Sequence, residues 1–224
     1  MFVNSNLDKA YASIGANCLS EVQLIKRFTK WKGLDPDNKF AGYNYIQGPF
    51  DTALTTPNAL LEILQLIKED RVIEYLGNIK HYYIEIQPSG EIFYGNRNIQ
   101  GFTLTHEDDN IKDFEEIIKT RFKNFIDLPA NTNLIWSNAQ ANFTNNFNVT
   151  GSKIQDYYLN KDQYEEISKV VDDMFGFNIK FAVRSAYTEK SLLNLSNVYA
   201  VDIPFSTEKL FGSKKHFDEI FEEE

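Results

Sequence analysis

The chain contains one thiol, Cys18, in the stretch "SIGANCLSEVQLIKRF" that begins at Ser13. Gly15 permits a sharp turn just before it, and Asn17 is a good helix N-cap. A helix is predicted from Cys18 to about Trp31, with Leu19, Val22, Ile25 and Phe28 on one apolar face. A cysteine in the first turn of a helix meets unpaired backbone N–H groups and the positive end of the macrodipole. Both favour the thiolate, which is the form a nucleophile needs. Cysteine is also among the residues most often buried as a small hydrophobe, so a structural role stands beside the chemical one.

A thiol nucleophile needs a base within hydrogen-bond reach. There are three histidines, His81, His106 and His216. His106 ends the strand-like run "GFTLTH" and is the best placed, because strand ends carry functional residues to the edge of a sheet. His81 opens a strand pattern, and His216 sits in a charged terminal segment. The segment "GPFD" places a Gly-Pro turn before Phe50, aimed at the core, and leaves Asp51 on a fixed loop. Asp51 could hold an imidazole in one tautomer as the acid of a triad does, or cap a turn. Asn138, at the end of "LIWSN", rivals it. Asp108 and Asp109 read as caps of the following helix. With His106 they supply too few well-spaced ligands for a metal, and neither a metal nor a cofactor is expected.

These residues must be held by a recognisable series of elements. "TTPNALLEILQLIKED" is a helix with Thr56 as cap, Pro57 in its first turn and Leu60, Leu64 and Ile67 buried. From His81 to Thr105 the pattern alternates as strands do, with a hairpin allowed at Gly90. "DDNIKDFEEIIKTRFKNFI" is an amphipathic helix with Phe114, Ile117, Ile118, Phe122 and Phe125 inward. "TNLIWSN" follows as a buried strand. "NKDQYEEISKVVDDMFG" is a second helix, with a capping box at Asn160 and Gln163 and a stop at Gly176. "FNIKFAVRS" and "NVYAVDIP" are further strands, and "SKKHFDEIFEEE" is a closing helix.

Helix-to-strand units in series predict an α/β (or α+β) fold, with a central mixed sheet, packed helices and the nucleophilic cysteine at a helix N-terminus. No low-complexity linker interrupts the chain, so residues 1–224 read as a single domain. The hydrophobic content of 42%, with 18 Phe and 12 Tyr, suits a packed core and excludes disorder. A net charge of −9 without a basic stripe argues against a nucleic-acid partner. One cysteine cannot form an intramolecular disulfide, and no apolar run approaches the ~20 residues of a membrane span. A cytoplasmic location is expected. No Walker-type loop, G-x-G-x-x-G or H-E-x-x-H occurs.

The combination of "SIGANC", a helix carrying "QL", "GPFD", an apolar helix and a later strand-borne His106 resembles a bacterial family of papain-like cysteine peptidases. Members of that family carry a Ser-Leu-Gly-x-Asn-Cys start and a Pro-Phe-Asp-Trp block. The resemblance covers roughly the first half to two thirds of the chain. It implies a thiol-dependent hydrolase or acyltransferase in which Cys18 attacks a carbonyl, His106 is the base and Asp51 orients it. Asn17, or a helix N–H, would bind the oxyanion, with Asn138 as the other substrate-contacting candidate. The implied substrates are a peptide, an isopeptide or an acylated sugar. Two positions depart from the pattern. Thr52 stands where the family has Trp, and Ala12 stands where the papain arrangement has its oxyanion glutamine. The Thr52 departure favours the alternative, a non-catalytic carbohydrate- or protein-binding protein on the same scaffold. The papain-like fold uses a mainly antiparallel sheet, whereas the helix–strand alternation suggests parallel pairing.

Overall fold

The apolar runs Leu134-Ile135-Trp136 and Phe181-Ala182-Val183 are continuous rather than alternating, the pattern of strands covered on both faces, and all six residues are buried. They lie side by side in the largest of the three sheets among the described residues. The computed structural model describes residues 1–4, 9–16, 44–87, 90–105, 113–139, 148–176, 178–202 and 220. The helix expected from Cys18 to Trp31 lies outside these residues, and so does the closing helix, except for Ile220.

The strands in chain order are β1 (Phe2–Asn4), β2 (Lys9–Ser13), β3 (Asn44–Tyr45), β4 (Ala53–Thr55), β5 (Tyr82–Ile86), β6 (Ile92–Asn96), β7 (Phe102–Thr105), β8 (Asn133–Ser137), β9 (Asn148–Val149), β10 (Ser152–Lys153), β11 (Asn178–Val183) and β12 (Val198–Ala200). Among the described residues the larger sheet has the order β12-β11-β8-β2-β1-β3. Strands β12, β11, β8 and β2 run parallel. β1 and β3 close one side antiparallel. The second sheet, β4-β7-β6-β5, is antiparallel throughout. Both pairing modes left open by the sequence are therefore present: the larger sheet mixes them, and the second is wholly antiparallel. A hairpin of β9 and β10 stands apart.

The helices follow their caps. Helix α1 (Pro57–Lys68) starts where the Thr56 side chain accepts the Ala59 N–H, with Pro57 in the first turn, and buries Leu60, Ile63, Leu64 and Ile67. A short helix α2 (Val72–Leu76) follows. Helix α3 (Phe114–Ile126) buries Phe114, Ile118, Phe122 and Phe125 as expected. Ile117, expected inward, is instead 39% exposed. At 100° per residue it falls on the flank of the stripe, and Arg121, between Ile117 and Phe114 around the helix, is the buried residue at that edge. The described helix begins after Asp113, and Asp108 and Asp109 lie outside the described residues. Helix α4 (Lys161–Phe175) has both halves of the Asn160–Gln163 capping box and ends at Gly176 in the left-handed conformation, φ 62°. The β5–β6 hairpin turns through Gly90 at φ 87°.

One continuous apolar cluster joins Ala10 and Ala12 of β2 to Phe50, to Leu104 and Tyr94 of the second sheet, and to Phe181 of β11. The two sheets thus share a core. Phe50 fills it as the "GPFD" turn suggested, fully buried and edge-on to Phe122 and Phe125 at centroid distances of 6.3 and 5.3 Å. Among the described residues, no helix is long and apolar enough to cross a membrane.

Candidate functional site

The carboxyl end of β2 leads into the cysteine segment and is bound on two sides. On one side the parallel pairing with β8 continues, through Ile14 N–H to the Ile135 carbonyl at 3.0 Å and Ser137 N–H to the Gly15 carbonyl at 3.3 Å. On the other side the chain touches the second sheet, where Thr55 N–H donates to the Ala16 carbonyl at 3.3 Å. Between these contacts the backbone turns with positive φ, 107° at Gly15 and 56° at Ala16. Gly15 cannot be replaced freely here. A Cβ on it would lie 2.7 Å from Thr55 Cβ and 2.8 Å from Thr55 Oγ1, and its φ is one that side chains avoid.

Thr55 belongs to the β4/β7 ladder, which is longer than its strands. The pairing Ala53–Leu104, Leu54–Thr103, Thr55–Phe102 continues at one end, where Thr56 N–H donates to the Gly101 carbonyl at 3.0 Å. At the other end Thr105 donates to the Thr52 carbonyl twice, from its N–H at 2.7 Å and its hydroxyl at 2.8 Å. The neighbour of Asp51 in sequence is therefore bonded to the neighbour of His106.

Asp51 itself is 2% exposed. Its Oδ2 accepts from Gly48 N–H at 2.7 Å, from the Met1 ammonium at 3.1 Å and from the Tyr45 hydroxyl at 3.2 Å. Its Oδ1 is buried and has no hydrogen-bond partner among the described residues, and the same is true of Thr55 Oγ1. A buried polar oxygen left unpaired is costly, so Asp51 Oδ1 marks a place where a donor is wanted, and Thr55 Oγ1 one where a donor or an acceptor would serve.

Asn138 is placed differently. It follows β8 at the carboxyl edge of the parallel sheet and is fully buried. Its Nδ2 donates to the carbonyls of Tyr157 and Tyr187 at 3.0 and 3.1 Å, and its Oδ1 accepts Arg184 N–H at 2.8 Å. Both amide hydrogens are committed to backbone, so as placed Asn138 offers none to a substrate oxygen. Its work is to tie three chain segments together. His81 closes a short 3₁₀ turn, half-buried, and its Nδ1–H donates to the Tyr75 carbonyl at 3.0 Å. Cys18, Asn17, His106 and His216 lie outside the described residues. Among the described residues, no group of three His, Cys, Asp or Glu side chains could hold a metal ion.

The sequence reading did not pick out Thr55 or Thr105, and it noted Gly15 only as a turn and Thr52 only as a departure from the family's Trp. Their contribution is made largely by backbone atoms, which carry no residue-type signal. Only the glycine, two residues before the capping asparagine, hinted at a tight turn.

No family model matches the chain, and no curated protein or solved structure matches it either.

Proposed function

We propose that this chain is a thiol-dependent hydrolase or acyltransferase of the cytoplasm, where a lone reduced cysteine persists. In this reading Cys18 Sγ gives its proton to His106 and attacks the substrate carbonyl. The C–S bond forms, the tetrahedral oxyanion is held by Asn17 and helix N–H groups, and the C–N or C–O bond breaks as His106 protonates the leaving group. Water or an acceptor hydroxyl then resolves the thioester with His106 as base. Substrates are a peptide, an isopeptide or an acylated sugar. Neither Asn138 nor His81 takes part.

The observation that carries the proposal is the orphaned Oδ1 of Asp51, whose neighbour in sequence, Thr52, is bonded to Thr105. The residue after Thr105 is a histidine, the side chain best suited to donate to a buried carboxylate and to be oriented by it. The turn that leads towards Cys18 is bonded to the same ladder three residues further on, at Thr55.

Iodoacetamide labelling of Cys18 measured against pH tests it. A midpoint clearly below the ~8.5 of free cysteine is expected, rising towards that value in His106→Ala. A midpoint at or above the free value would sink the proposal. A second reading, a non-catalytic carbohydrate- or protein-binding protein on the same scaffold, is favoured by Thr52 in place of the family's Trp. It predicts no such shift and no loss of binding in Cys18→Ser.

A further inference from the structure

The β4/β7 ladder has a second polar end, opposite Asp51. Where Thr56 N–H meets the Gly101 carbonyl, the surface opens into a cavity of about 280 Å³, lined by Thr56, Asn58, Glu62, Gln100, Gly101, Ser152 and Asp156. Three separate parts of the chain contribute: the first turns of α1, the turn before β7, and the segment from β10 into the 3₁₀ turn at Ile154–Tyr157. Gly101, at φ 86°, keeps one wall thin, because a Cβ there would lie 2.4 Å from Thr56 Oγ1.

The bonding capacity left over in this lining is specific. Thr56 Oγ1 accepts Ala59 N–H at 3.2 Å, which leaves its hydroxyl proton to donate. Asn58 Oδ1 accepts from Gln163 Nε2 at 2.7 Å, which leaves the Asn58 amide hydrogens. Asp156 Oδ2 accepts Lys153 N–H at 2.7 Å, which leaves Oδ1. Neither the Glu62 carboxylate nor the Gln100 amide is bonded to any described residue, and partial burial raises the Glu62 carboxyl above its ordinary value. The lining thus mixes free donors with free acceptors and, among the described residues, contains no Lys, Arg, aromatic or aliphatic side chain.

We propose that this cavity binds a small, neutral, hydroxyl-rich ring of monosaccharide size. The Glu62 and Asp156 carboxylates, with no cationic side chain among the described lining residues, repel a phosphate or carboxylate ligand, and the predominantly polar lining disfavours a greasy one. An ammonium ligand only donates, so it would leave the amide and hydroxyl donors of Asn58, Gln100 and Thr56 unmatched. A hydroxyl both donates and accepts and satisfies both kinds of group. The volume lies just below the ~300–1,000 Å³ usual for ligand pockets, so the occupant is a single ring rather than a chain. The site needs no thiol and stands whether or not Cys18 is a nucleophile.

The experiment is saturation-transfer NMR on the full chain with glucose, galactose, mannose and N-acetylglucosamine, and with ethanolamine as the cationic competitor. At least one of the four sugars is expected to bind. Glu62→Ala and Asn58→Ala, both on the exposed face of α1, should each weaken that sugar by about tenfold, the loss of one charge-assisted or amide hydrogen bond. Cys18→Ser should leave binding unchanged, which separates failure here from failure of the thiol reading. Binding by none of the sugars, unchanged binding in both α1 variants, or ethanolamine competing as well as the sugar would overturn the proposal.

Discussion

Asn138 and Asp51 are both buried polar side chains beside a strand end, and they are satisfied in opposite ways. Each polar atom of Asn138 has a backbone partner, and the partners come from two other segments, at Tyr157 and at Arg184–Tyr187. Asp51 has three donors crowded on Oδ2 and, among the described residues, none on Oδ1. Four residues along, Thr55 Oγ1 is buried and likewise has no partner among the described residues. A group whose capacity is used up holds the fold. One left half-used costs stability, and such a cost persists where a site needs an acceptor in a fixed place. The comparison separates the two sequence candidates for a triad acid more sharply than their residue types did.

The largest effect is expected at the satisfied centre. Asn138→Ala removes a donor pair from the Tyr157 and Tyr187 carbonyls and an acceptor from Arg184 N–H, and it leaves a void. The Tyr187 carbonyl keeps Leu159 N–H at 3.0 Å, but the Tyr157 carbonyl and Arg184 N–H lose their Asn138 partner at ~1–3 kcal/mol each, so with the void a loss of ~3–5 kcal/mol is expected. Urea denaturation, with the slope checked against the unmodified chain, reads it. A loss under ~1 kcal/mol would mean that Asn138 is not the rivet described, and would make it a substrate-contact candidate again.

Next comes the seam between the sheets. Gly15→Ala forces a side chain into positive φ and against Thr55 Cβ. Backbone strain and overpacking together should cost ~2–4 kcal/mol. The same variant should shift the labelling midpoint of Cys18, three residues downstream, while Asn138→Ala, if folded under the assay conditions, should not. A Gly15→Ala protein with unchanged stability would show that the turn relaxes easily and does not position the cysteine segment.

How much of this could be read beforehand depended on where the signal resides. Caps and stops are side-chain events, so α1 with Thr56 and Pro57, α4 with Asn160, Gln163 and Gly176, and the Gly90 hairpin were all legible. Phe50 was legible because a Gly-Pro turn leaves it little choice. β1 and β2 were not, since "KAYAS" has alternating alanines with no strand preference of their own. Ala10 and Ala12 are there because larger side chains would not fit the shared core, a tertiary reason. The placement of Ile117 failed at the margin of a helical stripe, where a three-residue spacing does not decide between face and flank. For the candidate site, the residue types of Asp51 and Asn138 were visible, but the number of partners each has was not. That number depends on Tyr157, Tyr187 and Arg184, which lie well apart from Asn138 in sequence.

The smallest effects test the comparison most finely, at two adjacent threonines. Thr56 Oγ1 accepts the Ala59 N–H and caps α1. Thr55 Oγ1 is buried with no partner among the described residues. Valine has nearly the shape of threonine, so the substitution removes little besides the hydroxyl's bonding. Thr56→Val should cost ~1 kcal/mol, the usual loss of an N-cap. Thr55→Val should cost nothing or stabilise the fold by a few tenths of a kcal/mol, because it removes the penalty of burying an unpaired hydroxyl. Thermal unfolding of the two variants in parallel gives the sign directly, with a downward shift of several degrees for ~1 kcal/mol at Thr56 and none at Thr55. If Thr55→Val also leaves Cys18 labelling unchanged, the Thr55 hydroxyl has no role at the site and the demand for a donor rests on Asp51 Oδ1 alone. If Thr55→Val loses as much stability as Thr56→Val, its hydroxyl is bonded in solution, and the contrast between a satisfied centre and an unsatisfied one fails at that atom.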